Sequence, residues 1–203
     1  MRVYTLGRKL KLGDSWAQIS WLLQRRRVAL TEENRGRRRG RSVRDWVAEI
    51  TALFDTEESV AFVPGKEGRR FPAKRCFRHE YLPTRERWVP PSEPIVCVQL
   101  DGRWQADLKN PTPAERARLE MGLAAAGYIV KPIGQPMTLA ESVHALANCH
   151  CFIGVDSGMM HVASSVRCPR ILIRNRMYDI ECNYTGKALM LTDTAESALH
   201  LLA

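Results

Sequence analysis

The chain has no long apolar run. No stretch approaches the roughly 18 consecutive apolar residues that cross a bilayer, and the opening residues, MRVYTLGRKLKLGD, contain no apolar segment of the kind a signal peptide carries. A cytoplasmic protein with no membrane span is expected. Cysteine is sparse and scattered. The six cysteines (Cys76, Cys97, Cys149, Cys151, Cys168 and Cys182) include three inside or beside apolar strand candidates, which suits reduced core thiols rather than a disulfide framework. Cys149-His150-Cys151 invites a metal ion, but its residues alternate along a strand and no second ligand pair is spaced to close a tetrahedron, so no metal is expected. Acidic residues are short in one half only. Residues 1–91 hold 21 Lys/Arg against 11 Asp/Glu, whereas residues 92–203 hold 10 against 11, so the whole basic excess behind the net charge of +9 lies in the first half.

What remains is ordinary for a globular chain of 203 residues, with 45% hydrophobic and 26% charged residues. The basic excess is local: Arg25-Arg26-Arg27, then Arg35, Arg37, Arg38, Arg39 and Arg41, then Arg69, Arg70, Lys74, Arg75 and Arg78. Such blocks mark either solvated loops or a surface for nucleic acid or another polyanion.

An apolar segment at Val3 to Leu6 is followed by a helix from about Ser15 to Arg27, with Trp16, Ile19, Leu22 and Leu23 on one face. Gly13-Asp14 then stands where a first strand hands over to a first helix. Val28 to Leu30 reads as a second strand, Ser42 with Asp45 as a capping box for a helix to about Phe54, and Val60 to Val63 as a further strand. Residues 64–94 carry six of the eleven prolines and no sustained period, which predicts a loop or linker and a domain boundary near Pro91, dividing the chain into residues 1–91 and 92–203. Beyond it the periods are regular. Strands are predicted at Ile95 to Leu100, Tyr128 to Ile133, Cys151 to Val155, Arg170 to Ile173 and Ala188 to Leu191. The helices between and after them open at Thr112, at Thr138 and near Ser157, and the last runs from Ala195 to Leu202. Strands alternating with helices predict an α/β fold of two Rossmann-like halves, with parallel sheets flanked by helices.

The most informative stretch is Cys151 to Ser165, CFIGVDSGMMHVASS. A buried strand breaks at Asp156-Ser157-Gly158 and a helix follows at once, so unpaired backbone N–H groups and the helix dipole face outward there, a seat for phosphate. His161 falls four residues after Ser157 on the same helical face. In parallel α/β sheets ligands bind outside the carboxyl ends of the strands, which is where this turn lies.

The segment MTLAESVHALANCHCFIGVDSGMMHVASSVRCPRILI resembles glycosyltransferase family 9, the heptosyltransferase-like enzymes of the two-domain Rossmann-like GT-B fold. The matching elements are Thr138 to Glu141, Asp156-Ser157-Gly158, His161, Ala163-Ser164-Ser165 and Pro169. LGRKLKLGDSWAQISWLLQRR is similar to the family's opening strand, Gly-Asp turn and helix. The resemblance implies transfer of a sugar from a nucleotide-diphosphate sugar to a hydroxyl, without a cofactor or bound metal and with inversion. It implies that Asp156, Ser157, Gly158 and His161 hold the donor diphosphate, with Lys109 in the region of a phosphate-contacting lysine and Arg103 as a weaker substitute. It makes Asp14 the general base and places Gly13, Arg8 and Lys11 on the acceptor side.

Typical members are much longer than this chain, and most of the loss falls in the first half. The resemblance therefore implies a compact form with a reduced N-terminal acceptor domain and a C-terminal donor domain. A basic acceptor half suits an anionic acceptor, such as a modified base in DNA or a nucleotide, as in enzymes of DNA-modifying phages. Trp88 and Trp104 would then stack on a base or sugar, or else pack at the junction. Other readings stay open. Asp14 is also a good N-cap, Asp156 can serve only to orient its turn, His161 can be a core histidine, and Asp179 and Glu181 are candidates for the ribose only by position. The chain as a whole can be a noncatalytic nucleotide-sugar or nucleic-acid binding module, or a nucleotide-sugar epimerase. Its oligomeric state is not legible.

Overall fold

The computed structural model describes residues 1–6, 11–25, 28–31, 42–64, 68–72, 80–102, 106–174, 189–192 and 194–202. Strand β1 (Arg2–Thr5) leads into α1 (Leu12–Leu23), followed by β2 (Val28–Thr31), α2 (Val43–Leu53), β3 (Phe62–Val63) and β4 (Arg69–Arg70). The second series runs β5 (Ile95–Gln99), α3 (Ala106–Lys109), α4 (Pro113–Ala125), β6 (Ile129–Pro132), α5 (Leu139–Ala147), β7 (Cys151–Val155) and α6 (Gly158–Val166). It closes with β8 (Arg170–Ile173), β9 (Leu189–Thr192) and α7 (Ala195–His200). Two sheets result, in the orders β3-β2-β1-β4 and β6-β5-β7-β8-β9, and every named pair within them is parallel. The expected α/β architecture of two Rossmann-like halves is the one observed.

Each sheet starts in its middle and reverses direction, so each has a switch point where successive crossovers leave to opposite sides. In the first sheet this is between β1 and β4, and in the second between β5 and β7. Crevices at the carboxyl ends of such strand pairs are where α/β sheets take ligands.

Capping boxes set three of the helix starts. Ser42 with Asp45, Thr112 with Glu115 and Thr138 with Glu141 each exchange both bonds of the box, as their spacing predicts. The start of α1 differs from expectation. It begins at Leu12 with Lys11 as N-cap, so Gly13 and Asp14 lie inside the first turn rather than before it. Every residue of α1 from Ser15 to Leu23 is buried, which fits a helix covered on more than one side: α1 packs against α2 and against α6.

One apolar cluster joins the two halves. It contains Trp16, Ile19 and Leu22 of α1, Trp46, Val47 and Ile50 of α2, Val143 and Leu146 of α5, and Met160, Val162 and Ala163 of α6. A second cluster fills the opposite face of the second sheet, from Val96, Val98, Ile153 and Ile171 to Leu119 and Leu123 of α4 and Ala198 of α7. The four cysteines among the described residues, Cys97, Cys149, Cys151 and Cys168, are buried free thiols, and burial helps hold the Cys151 thiol up at about 12. Cys76 and Cys182 lie outside the described residues.

The stretch expected as an unstructured linker is partly a packed strap. Tyr81 and Thr84 are buried, Leu82 N–H donates to Ser20 Oγ at 2.8 Å, and Thr84 forms an isolated antiparallel bridge with Phe54. Farther along, Thr84 N–H reaches Ser165 O at 3.2 Å, Trp88 N–H reaches Val166 O at 3.1 Å, and Val89 N–H reaches Ala147 O at 3.0 Å. Residues 81–89 thus bond to α1, to the end of α2, and to the ends of α5 and α6. The prolines remove periodicity but not packing, because the strap satisfies its backbone groups on helix termini that would otherwise be open. No helix among the described residues is long and apolar enough to cross a membrane.

Candidate functional site

The amino ends of α1 and α6 meet. A Cβ built on Gly13 would stand 2.7 Å from His161 Cδ2 and 3.4 Å from Gly158 Cα, and one built on Gly158 would stand 2.8 Å from Leu12 Cβ and 3.1 Å from Gly13 N. Only glycine at both positions lets the two backbones approach this closely. Neither helix is capped by a side chain: Lys11 and Ser157 are the N-caps, both in extended conformation, and neither side chain bonds back to its helix. Two positive dipole ends, each equivalent to roughly half a charge, therefore converge on one spot at the switch points of the two sheets.

Five ionisable side chains gather there: Asp14, Asp156, Lys11, Lys109 and His161. Asp14, the third residue of α1, is half-buried, and its carboxyl pKa is raised first by burial and then by Asp156, with Lys11 opposing. Since Lys11 is the N-cap, Asp14 is not, and its carboxylate is left for other work. Lys109 is buried and donates from Nζ to the backbone carbonyl of Asp156 at 2.6 Å, holding the turn from below with its charge beside the α6 terminus. Its path is kept clear by Gly102, where a Cβ would run into Lys109 Cε, and Gly102 is itself fastened to Asn110 through both backbone groups.

His161 lies at the centre, 4% exposed. Its Nδ1 is 2.8 Å from the Tyr81 hydroxyl, and burial lowers its pKa to about 4 despite Asp156, with Lys109 adding to the effect. The ring is thus neutral at physiological pH. Its other edge lies against Gly13, so a single imidazole touches the strap on one side and α1 on the other.

Of the residues singled out in the sequence, the structure gathers Gly13, Asp14, Lys11, Lys109, Asp156, Ser157, Gly158 and His161 at this seam, with Lys11 exposed at its rim. Arg8, Arg103, Trp104, Asp179 and Glu181 lie outside the described residues. Trp88 is packed at the junction, its indole N–H donating to Cys149 O at 2.7 Å. Among the described residues, no group of three His, Cys, Asp or Glu side chains is placed to hold a metal ion.

Tyr81 and Gln99 escaped the sequence reading, as did the bond between Trp16 and Ser165. Tyr81 sits in the aperiodic strap, where nothing marks it. Trp16, read as part of a buried helix face, and Ser165, read as part of the small-residue element that resembles the family, are joined by an indole-to-hydroxyl bond of 2.8 Å that ties α1 to α6. Gln99 ends β5 and accepts the Ser157 hydroxyl at 2.6 Å. A polar residue closing an otherwise apolar strand at a switch point was the available signal for it.

Comparison with known proteins bears on family and fold. Residues 103–173 match the family model described as "Glycosyltransferase family 9 (heptosyltransferase)". Lipooligosaccharide heptosyltransferase 2 of Haemophilus ducreyi is 27% identical over 136 residues, which cover 64% of this chain and 36% of that protein. The chain thus spans about a third of the length of this curated relative. Among solved structures, the iron-containing dodecameric glycosyltransferase TibC from enterotoxigenic E. coli H10407 is similar in fold, with a TM-score of 0.63 at 16% identity, covering 93% of this chain and 61% of that one. The E. coli heptosyltransferase WaaC with ADP-2-deoxy-2-fluoro heptose aligns with a TM-score of 0.51 at 13% identity, over 100% of this chain and 99% of that one. Residues 103–173, which include the β7–α6 turn, thus match the glycosyltransferase family 9 (heptosyltransferase) model, and the two-sheet fold is similar to that of TibC and WaaC.

Proposed function

We propose that this chain is an inverting glycosyltransferase that moves a sugar, heptose in the first instance, from a nucleoside-diphosphate sugar to a hydroxyl. The observation that carries the reading is the meeting of Gly13 and Gly158, which brings the first turn of α1, with Asp14 in it, against the end of α6 that no side chain caps. The similar proteins are heptosyltransferases, one of them solved with an ADP-heptose analogue, which makes ADP the first nucleotide to try.

In this reading residues 92–203 form the donor side. The donor diphosphate lies against the first-turn N–H groups of Ser157-Gly158 and beside Lys109, with Asp156 shaping the turn and His161 touching it as a neutral ring. Residues 1–91 form the acceptor side, with Gly13 and Lys11 near the incoming hydroxyl. Asp14 takes the hydroxyl proton, the freed oxygen attacks the anomeric carbon, and the bond from that carbon to the diphosphate oxygen breaks. The diphosphate leaves with the electron pair and is stabilised by the helix end and Lys109. A carboxylate of raised pKa suits the base, since it binds a proton more firmly than an exposed aspartate would. No step is routed through a metal or cofactor.

The excess of 21 Lys/Arg over 11 Asp/Glu in residues 1–91 supports an anionic acceptor, such as a hydroxylated base in DNA or a nucleotide. The test has two stages. A thermal-shift screen of nucleoside diphosphates and their sugars identifies the donor, and the labelled donor is then incubated with DNA, nucleotides and anionic glycans. Label should move to one acceptor class and be lost in Asp14→Asn, with donor affinity kept within about threefold. Full activity in that variant removes Asp14 as base. Donor binding without transfer to any acceptor points instead to a binding module.

A further inference from the structure

We propose that Gln99 is a positioning residue that keeps the phosphate-facing end of α6 open by holding the Ser157 hydroxyl away from it. The proposal rests on the reading of that end as the donor-phosphate seat. A serine at an N-cap in extended conformation ordinarily turns its oxygen back onto the N–H of the second or third helical residue. Four other helices of this chain do so: Ser42, Thr112, Thr138 and Thr194 accept from the backbone N–H of Asp45, Glu115, Glu141 and Ser197. Ser157 is likewise extended, with φ −147° and ψ 174° close to the −137° and 157° of Thr194, yet its side chain makes no such bond. Its hydroxyl donates to Gln99 Oε1 at 2.6 Å instead.

The register explains how Gln99 reaches it. β5 and β7 are neighbours at the switch point and Gln99 pairs with Gly154, so the last residue of β5 stands beside the strand that delivers Asp156 and Ser157. Alternation along β5 puts Gln99 on the face of Ile95 and Cys97, which belong to the core under α5 and α6, while Val96 and Val98 serve the other face. The amide is fixed from its far side, since Nε2 donates to the Asp101 carbonyl, next to Gly102 and on the way to Lys109 of α3. One amide thereby links that loop to the α6 turn, and an uncommitted serine oxygen is turned away from N–H groups that an anion needs. The Met160 N–H is already taken by the Ser157 carbonyl at 3.2 Å, so without Gln99 the hydroxyl turns onto the N–H of Met159, the second helical residue, and competes with the phosphate for it.

The test is a double-mutant comparison read by calorimetric titration of the whole chain with ADP. Gln99→Met keeps the side-chain volume and removes the amide. It should weaken ADP binding about tenfold, the worth of one charge-assisted bond. Adding Ser157→Ala to it should restore affinity to within about threefold of the unaltered chain, because no hydroxyl remains to fill the seat. A residue that merely supported the fold would show no such rescue. Unchanged affinity in Gln99→Met overturns the proposal, and so does a double variant as weak as the single. Gln99→Ala is read in the same way if the methionine variant does not fold. An unaltered chain that binds no ADP overturns the phosphate reading itself and this proposal with it, whereas ADP binding that ignores Gln99 overturns this proposal alone.

Discussion

Asp14 and His161 pull the pH dependence of stability in opposite directions. The Asp14 carboxyl has a pKa above its ordinary value, so the folded chain resists its ionisation and loses stability as pH rises from the ordinary value of about 3.9 through the raised one. Asp14→Asn removes that cost, and its melting temperature should equal or exceed that of the unaltered chain at pH 7, with the gain fading below about pH 4. A carboxylate whose ionisation weakens the fold is the pattern expected of a functional group, and the proposed role of Asp14 as base fits it. His161 is the reverse case. Its folded pKa of about 4 lies below the ordinary 6.5, so the neutral ring contributes fully above pH 6.5. That contribution is lost as pH falls through 6.5 toward 4, where the unfolded chain takes up a proton that the folded one refuses. Thermal melts across that window should fall more steeply for the unaltered chain than for His161→Gln. Equal slopes would show that His161 is not held neutral.

At this scale the sequence was legible where a residue type has one strong reason to be in its place. Asp156-Ser157-Gly158 between an apolar strand and a small-residue helix is such a case. Gln99 and Tyr81 were not legible, because their roles depend on partners brought near by strand pairing and by the strap.

Helices α1 and α6 carry the site because their first turns touch. Gly158→Ala would drive a Cβ against Leu12 and toward the backbone nitrogen of Gly13, and Gly13→Ala would drive one into the His161 ring. Each should destabilise by about 1–3 kcal/mol, as overpacking does. Gly158→Ala should cost more, because a backbone yields less readily than a side chain, and melting temperatures of the two variants would rank them. Element boundaries were readable where chemistry marks them, as the capping boxes opening α2, α4 and α5 show. The start of α1 was displaced because Lys11-Leu12-Gly13 contains no start signal, its glycine being required by a neighbour remote in sequence. β4 is only two residues long and the strap has no period, so neither could be seen.

The molecule as a whole has two sheets but shares one apolar cluster between their helices. Unfolding should therefore be a single transition, with tryptophan fluorescence, to which the first half contributes Trp16, Trp21, Trp46 and Trp88 of the five tryptophans, and far-ultraviolet circular dichroism giving coincident curves in urea. Two separated transitions would mean that the halves fold independently. The parallel α/β plan was legible from alternating periods. That the helix layers of the two halves fuse was not, because an amphipathic helix announces that it has a buried face without announcing what covers it. Charge at this scale bears on partners rather than on fold. The basic excess is confined to the half that would meet the acceptor, so acceptor affinity should fall with added salt far more than ADP affinity does.

The contact between Gly13 and Gly158 also has a genetic meaning. The two positions belong to different halves of the chain, yet neither can accept a side chain unless the other helix retreats. They would be inherited as a pair: a lineage that changed one would find its compensating changes in the opposite helix rather than among sequence neighbours, and recombination exchanging only one half between relatives would break the seat even where both parents were sound.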